Sequence, residues 1–219
     1  MRSGFIGIVG RPNVGKSTLL NAILGEKIAI TTDKPQTTRN TIRGIHTKIE
    51  NGREEVQLVF IDTPGIHKPR TKLGSYMTDA AVRTLREVDV ILLLEDGPLS
   101  KGPGDTYILD LLRQTDTRKV LAINKIDRLP PDTFRQIYEE YEATGLFTAI
   151  YGTVATEGKN VPALLAALEG MVEEGPLYFT ADMVTDHPER FLVAEILREK
   201  ALMYLQDEIP HGIAVEIEY

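Results

Sequence analysis

Short apolar runs that end in turns or polar loops alternate along this chain with stretches of helical periodicity. Phe5 to Val9, Val90 to Leu94, Val120 to Ile123 and Phe147 to Tyr151 are near-continuous apolar segments. Such runs predict strands buried on both faces. Thr41 to Glu50 alternates loosely through Ile42, Ile45 and Ile49, and Glu54 to Ile61 ends in Val-Phe-Ile. Asn51-Gly52 between them is a tight-turn signal, so these two segments predict a hairpin and one antiparallel strand. Helical spacing follows Lys16 (Leu19, Leu20, Ile23, Leu24) and recurs over 75–87, 106–113, 132–142 and 160–172. Ser75 suits an N-cap of the second of these, and Gly175-Pro176 stops the last. The alternation predicts an α/β fold: a six-stranded, mostly parallel sheet with one antiparallel strand, helices on both faces, and a ligand at the strands' carboxyl ends.

The tail has a different character. Residues 175–188 carry two prolines and several polar residues and predict a linker. Phe191, Ala194, Leu197, Leu202 and Leu205 recur at helical spacing over 189–206, predicting an amphipathic helix; Ile213 to Tyr219 alternates as a strand. One helix and one strand are too little for an independent core. The expected division is 1–174 as one domain, 175–188 as linker, and 189–219 as the incomplete start of a second domain.

Chemistry concentrates at the predicted strand ends. Gly10 to Ser17 fits G-x-x-x-x-G-K-[ST], the phosphate-binding P-loop. A chance match in a chain this long has a probability of about 1% from average residue usage. Gly10 and Gly15 permit a backbone path that a Cβ would block. The turn through Arg11, Pro12, Asn13 and Val14 can wrap phosphates, while the helix opening at Lys16, Ser17 and Thr18 aims its positive end at them. Lys16 offers a mobile charge and Ser17 a hard oxygen for Mg²⁺. The polar stretch 26–40 has no helical period; Thr37 or Thr38 can complete the Mg²⁺ shell when a γ-phosphate draws that segment in. Asp62-Thr63-Pro64-Gly65 follows a strand directly. Asp62 can hold Mg²⁺ through water, and the Gly65 N–H can approach a γ-phosphate. Asn124-Lys125-Ile126-Asp127 follows the next-to-last strand. An Asp127 carboxylate can accept both guanine N1–H and the 2-amino group, a donor pair adenine lacks. Asn124 can tie this loop to the P-loop, the Lys125 stem can cover the base, and Thr153-Val154-Ala155 lies where a final base-contacting loop belongs.

The absence of cysteine excludes disulfides and thiolate metal sites and suits a reducing compartment. Net charge is -7, which does not favour a nucleic-acid surface. With no long uncharged apolar run, a cytoplasmic protein is expected.

In order, Gly10-to-Ser17, Thr38, Asp62-to-Gly65 and Asn124-to-Asp127 resemble the Ras-like P-loop GTPases. The wording Gly-Arg-Pro-Asn-Val-Gly-Lys-Ser, Pro-Gln-Thr-Thr-Arg, Asp-Thr-Pro-Gly-Ile and Asn-Lys-Ile-Asp is similar to the Era-like group among them, and the similarity runs through Phe-Leu-Val-Ala-Glu-Ile-Leu-Arg-Glu-Lys in the tail. The resemblance implies a GTP- and GDP-binding switch with a slow GTPase activity, Mg²⁺ on Ser17, Thr38 and, through water, Asp62, and a K⁺ ligand at Asn13. It implies catalytic contributions from Lys16, Thr38 and Gly65. It also implies a KH-type RNA-binding domain opening in 189–219, a role on ribosomal RNA in small-subunit assembly, a monomer, and peripheral contact with the inner membrane. Three departures matter. Ile66 stands where Ras-type enzymes carry a water-orienting glutamine. Val154 replaces a serine whose hydroxyl braces the last guanine loop, although the Ala155 N–H remains for guanine O6. No G-x-x-G follows residue 177, and residues 177–219 carry nine acidic against three basic side chains. This chain by itself is therefore expected to bind RNA weakly or not at all. Two rivals share the motifs: a P-loop ATPase of another kind, which Asp127 argues against, and a nucleotide-gated scaffold with negligible hydrolysis, which Ile66 allows.

Overall fold

The apolar runs assemble into one sheet whose order is β2-β3-β1-β4-β5-β6. The strands are β1 (Arg2–Gly10), β2 (Ile42–Glu50), β3 (Arg53–Asp62), β4 (Val90–Glu95), β5 (Arg118–Ile123) and β6 (Ala149–Gly152). The computed structural model describes residues 1–32, 41–65, 82, 85–98, 103–205 and 213–217. Only β2 is antiparallel, paired to β3; every other neighbouring pair is parallel. The turn between β2 and β3 is the Asn51-Gly52 pair, with φ of 52° and 73°. Two consecutive left-handed residues give the type I′ turn whose twist matches a hairpin.

Strand alternation divides the core into two layers. Ile6, Ile8, Val90, Leu92 and Leu94 face one way, toward α1 (Lys16–Leu24) and α4 (Val161–Glu169). Val9, Ile91 and Leu93 face the other, toward α2 (Pro103–Arg113) and α3 (Pro131–Glu142). Both faces of β1 and β4 are thus covered, which is why these strands read as continuous apolar runs. Helix α2 starts three residues before the predicted Thr106, with Pro103 in the first turn, where its missing N–H costs nothing. Of the helix predicted over 75–87, residues 82 and 85–87 are helical and the rest lies outside the described residues.

The chain returns to its start before it leaves the sheet. The Ser3 N–H donates to Glu173 O at 3.0 Å, and the Gly175 N–H to Met1 O at 3.3 Å. Residues beyond then cross β3 and β2. The buried Gln57 amide donates to Phe179 O and accepts the Tyr178 and Phe179 N–H groups. The Ile45 N–H donates to Val184 O at 2.8 Å. Helix α5 (Glu189–Tyr204) follows. Its pattern differs from the predicted amphipathic face: Leu197 is 51% exposed, whereas Glu195, Arg198, Glu199 and Leu202 are buried. Charges can face inward here because each is paired. Arg198 donates twice to Glu195, at 2.9 and 2.6 Å, and Glu199 accepts from Lys27 Nζ at 2.6 Å. Residues 213–217, predicted as a strand, join no sheet among the described residues.

Candidate functional site

Four loops meet at the carboxyl ends of β1, β3, β5 and β6. The first joins β1 to α1 and contains Gly10, Arg11, Pro12, Asn13, Val14 and Gly15, with Lys16, Ser17 and Thr18 opening the helix. Its path needs left-handed backbone at Asn13 (φ 65°) and Gly15 (φ 104°). A Cβ on Gly15 would run into the Asn124 amide, so this glycine is fixed by close packing as well as by angle. Lys16 is buried, and its Nζ donates to Gly10 O at 3.3 Å and Arg11 O at 2.9 Å. Burial pushes its pKa down, against the charges of Asp62 and Glu95, which favour the cation.

At the tip of β3, the fully buried Asp62 accepts the Ser17 hydroxyl at 2.6 Å. Burial pushes the Asp62 carboxyl up to about 6; the Lys16 charge and the Ser17 hydrogen bond work the other way. Its Oδ1 is buried with no hydrogen-bond partner. A hydroxyl and a carboxylate side by side, with one oxygen left unsatisfied, suit a hard cation such as Mg²⁺. Among the described residues no three His or acidic side chains gather to hold a metal. Thr63 Oγ1 donates back to Ile8 O at 2.8 Å, fixing the turn before Pro64 and Gly65. A Cβ on Gly65 would lie 2.6 Å from Pro12 N, so this turn rests directly on the P-loop. Thr38 and Ile66 lie outside the described residues.

The loop after β5 is bound to the first loop by side chains. Asn124 Nδ2 donates to Val14 O at 2.9 Å, and its Oδ1 accepts Ala155 N–H at 3.0 Å and Thr153 Oγ1 at 3.2 Å. Lys125, itself left-handed at φ 60°, donates to Asn13 O at 2.6 Å. Ile126 packs beneath the loop, and Asp127, in the 3₁₀ turn Ile126–Arg128, leaves its carboxylate 40% exposed. The Thr153 hydroxyl that bonds Asn124 lies one residue before Val154, and Val154 is buried with both backbone groups paired to Lys159. The Ala155 N–H, expected on guanine O6, is directed at Asn124 here.

Sequence reasoning passed over the end of β4. Glu95 Oε2 accepts Arg11 Nε at 3.2 Å; Asp96 accepts Arg11 NH2 at 3.0 Å and Lys125 Nζ at 3.1 Å. The available signal was a pair of carboxylates at the tip of a central parallel strand, where ligand-side residues gather.

This sheet, with a P-loop opening its first helix, defines a P-loop GTPase fold of the Ras-like kind. Residues 5–125 match the family model described as 50S ribosome-binding GTPase. GTPase Era of Alkaliphilus oremlandii is 53% identical over 215 residues, spanning 98% of this chain and 71% of the relative. GTPase Era of Clostridioides difficile is 52% identical over 218 residues, spanning 99% and 72%. The chain belongs to the Era family of GTPases. Two solved structures agree with the fold. Era in complex with MgGDPNP and nucleotides 1506–1542 of 16S ribosomal RNA has a TM-score of 0.87 at 37% identity, over 97% of this chain and 70% of that one. A variant of Aquifex aeolicus Era bound to GDP·AlF₄⁻ has a TM-score of 0.88 at 38% identity, over 96% and 70%.

Proposed function

We propose that this chain is a GTP-hydrolysing switch that holds its nucleotide across the four loops, with phosphates at the β1–α1 loop and guanine at the loops after β5 and β6. The observation that carries this reading is the bonding of Asn124 to Val14 O on one side and to Thr153 and Ala155 on the other. It makes the phosphate loop and both base loops one rigid rim. Gly10 through Thr18 wrap the phosphates, Lys16 neutralises charge on them, and the Thr63-Pro64-Gly65-Ile66 turn meets the γ-phosphate through the Gly65 N–H. Asn124, Lys125, Ile126 and Asp127 enclose the base, with Asp127 accepting from its two donors and Ala155 bordering it, its N–H given to Asn124. Ser17, Thr38 and, through water, Asp62 would hold Mg²⁺, which would supply positive charge against the β- and γ-phosphates. Water attacks the γ-phosphorus in line, the bond to the β–γ bridging oxygen breaks, and GDP leaves with inorganic phosphate, the water proton passing to phosphate or solvent. Ile66 has no group to orient it, so turnover is slow, and Asn13, left-handed beside the phosphates, is the candidate K⁺ ligand.

The wider role follows from the family. An Era of known structure carries 16S ribosomal RNA, which supports action in small-subunit assembly. Residues 1–174 form the nucleotide domain on this reading, closed by the contacts of Ser3 and Arg2 with residues 173 and 174. Residues 175–188 connect it to 189–219, the opening of a KH-type unit. Nine acidic against three basic side chains in 177–219 give little attraction for phosphate, so RNA binding by this chain alone is weak. The protein acts as a monomer. Peripheral membrane contact rests on family resemblance; no described helix is long and apolar enough to cross a bilayer.

Displacement of a fluorescent GDP analogue tests the reading. GTP displaces it and ATP does not, and Asp127→Asn transfers preference from GTP to xanthosine triphosphate. Equal displacement by ATP overturns guanine selection. Single-turnover hydrolysis is faster in potassium than in sodium; no hydrolysis in either leaves a binding scaffold.

A further inference from the structure

The carboxylates at the end of β4 lie outside the phosphate and base motifs, yet they bond to side chains of both loops. Asp96 bridges two cations with its two oxygens: Oδ1 accepts Arg11 NH2 at 3.0 Å, and Oδ2 accepts Lys125 Nζ at 3.1 Å. Arg11 belongs to the phosphate loop and Lys125 to the base loop. Glu95, 2% exposed, accepts Arg11 Nε at 3.2 Å and holds that guanidinium from a second side. Lys125 also donates to Asn13 O at 2.6 Å, so its stem is stretched between the first loop and the tip of β4. Its backbone sits at φ 60°, a left-handed conformation that costs a non-glycine residue and persists where surroundings hold it.

We propose that Asp96 is a positioning residue that locks the base loop to the phosphate loop through Lys125 and so slows the release of guanine nucleotide. The inference rests on the nucleotide reading above. With Asp96 neutral, two cations face each other without their shared counter-charge, and the Lys125 stem loses the tie that keeps it over the base. The side chains concerned are only 22–28% exposed, so the tie is partly shielded from solvent and still weakened by salt.

The test is release of a preloaded fluorescent GDP analogue, chased with excess GDP and followed by stopped flow, for the wild type, Asp96→Asn, Lys125→Gln and the double variant. Asp96→Asn is expected to speed release about five- to tenfold at low salt, as for loss of one charged hydrogen bond, with a smaller difference at high salt. The double variant is expected to match Lys125→Gln within about twofold, because residues acting as one unit are non-additive. Asp96→Glu, which keeps the charge, restores slow release. Unchanged release in Asp96→Asn, full multiplication of the two effects, or an Asp96→Glu variant as fast as Asp96→Asn each overturns the inference. Should Asp96→Asn not fold, Asp96→Ser in the same release assay carries the decision, and release at the wild-type rate overturns the inference. A wild type that retains no analogue overturns the nucleotide reading instead, and this inference with it.

Discussion

The Glu199 carboxylate on α5 is fully buried and accepts the backbone N–H of Thr31 at 2.9 Å, across 168 residues of sequence. The same carboxylate accepts Lys27 Nζ at 2.6 Å. Burial alone would raise its pKa, but the Lys27 and Thr31 hydrogen bonds, with the charges of Lys27 and Lys200, bring it below the ordinary 4.5. The stabilisation is therefore complete above that value and lost as pH falls through the lower, folded one. Acid unfolding of Glu199→Gln is expected to be flatter than wild type as pH falls below the ordinary 4.5; parallel curves would remove this assignment. Glu199→Ala is expected to cost about 2 kcal/mol at neutral pH, less than a fully buried pair because Lys27 is half exposed.

Asn124→Ala leaves Val14 O and the Ala155 N–H without their partner in a buried site. Each orphaned group costs about 1–3 kcal/mol. The expected sum is about 3 kcal/mol by urea denaturation, together with weaker nucleotide retention. A loss below about 1 kcal/mol would mean that water satisfies these groups and that the rim is less rigid than described.

Gly65→Ala would set a methyl group 2.6 Å from Pro12 N and 2.8 Å from Pro12 Cα. Backbone cannot yield as a flexible side chain can, so the Asp62-to-Gly65 turn must lift from the P-loop. GTP hydrolysis in a single turnover is expected to fall more than about tenfold, the scale of losing one aligned transition-state contact, while GDP binding changes little. Hydrolysis at the wild-type rate would show that this turn takes no part.

Gly44→Ala probes packing away from the site. The new methyl would meet the Cδ1 atoms of Leu20 and Leu24 at 2.7 Å and of Ile28 at 3.1 Å. These are side-chain tips that can shift, so the expected cost is that of modest overpacking, about 1–2 kcal/mol in thermal unfolding. Nucleotide selectivity is expected to stay as in the wild type.

The centre of the sheet was legible because β1 and β4 are buried on both faces, which leaves continuous apolar runs in Phe5 to Val9 and Val90 to Leu94. The phosphate and base loops were legible because their chemistry lies within a few consecutive residues. Asp96 was not, since its meaning comes from Arg11 and Lys125 in loops after other strands, and nothing local to Glu95-Asp96 reveals them. The inward face of α5 was misread for the same reason. Periodicity assigns charge to solvent, but Glu195, Arg198 and Glu199 find partners in one another and in Lys27 and Thr31.

The hydrogen bond from the Ile45 N–H to Val184 O, with that from Thr185 Oγ1 to Arg43 O at 2.7 Å, covers the outer margin of β2. An uncovered margin of nine residues would be a template on which another polypeptide could add itself strand by strand. The opposite margin, β6, is only four residues long and offers little to grow on. The crossing segment therefore doubles as a guard against self-assembly, and a protease cut near Val184 would be felt first as precipitation.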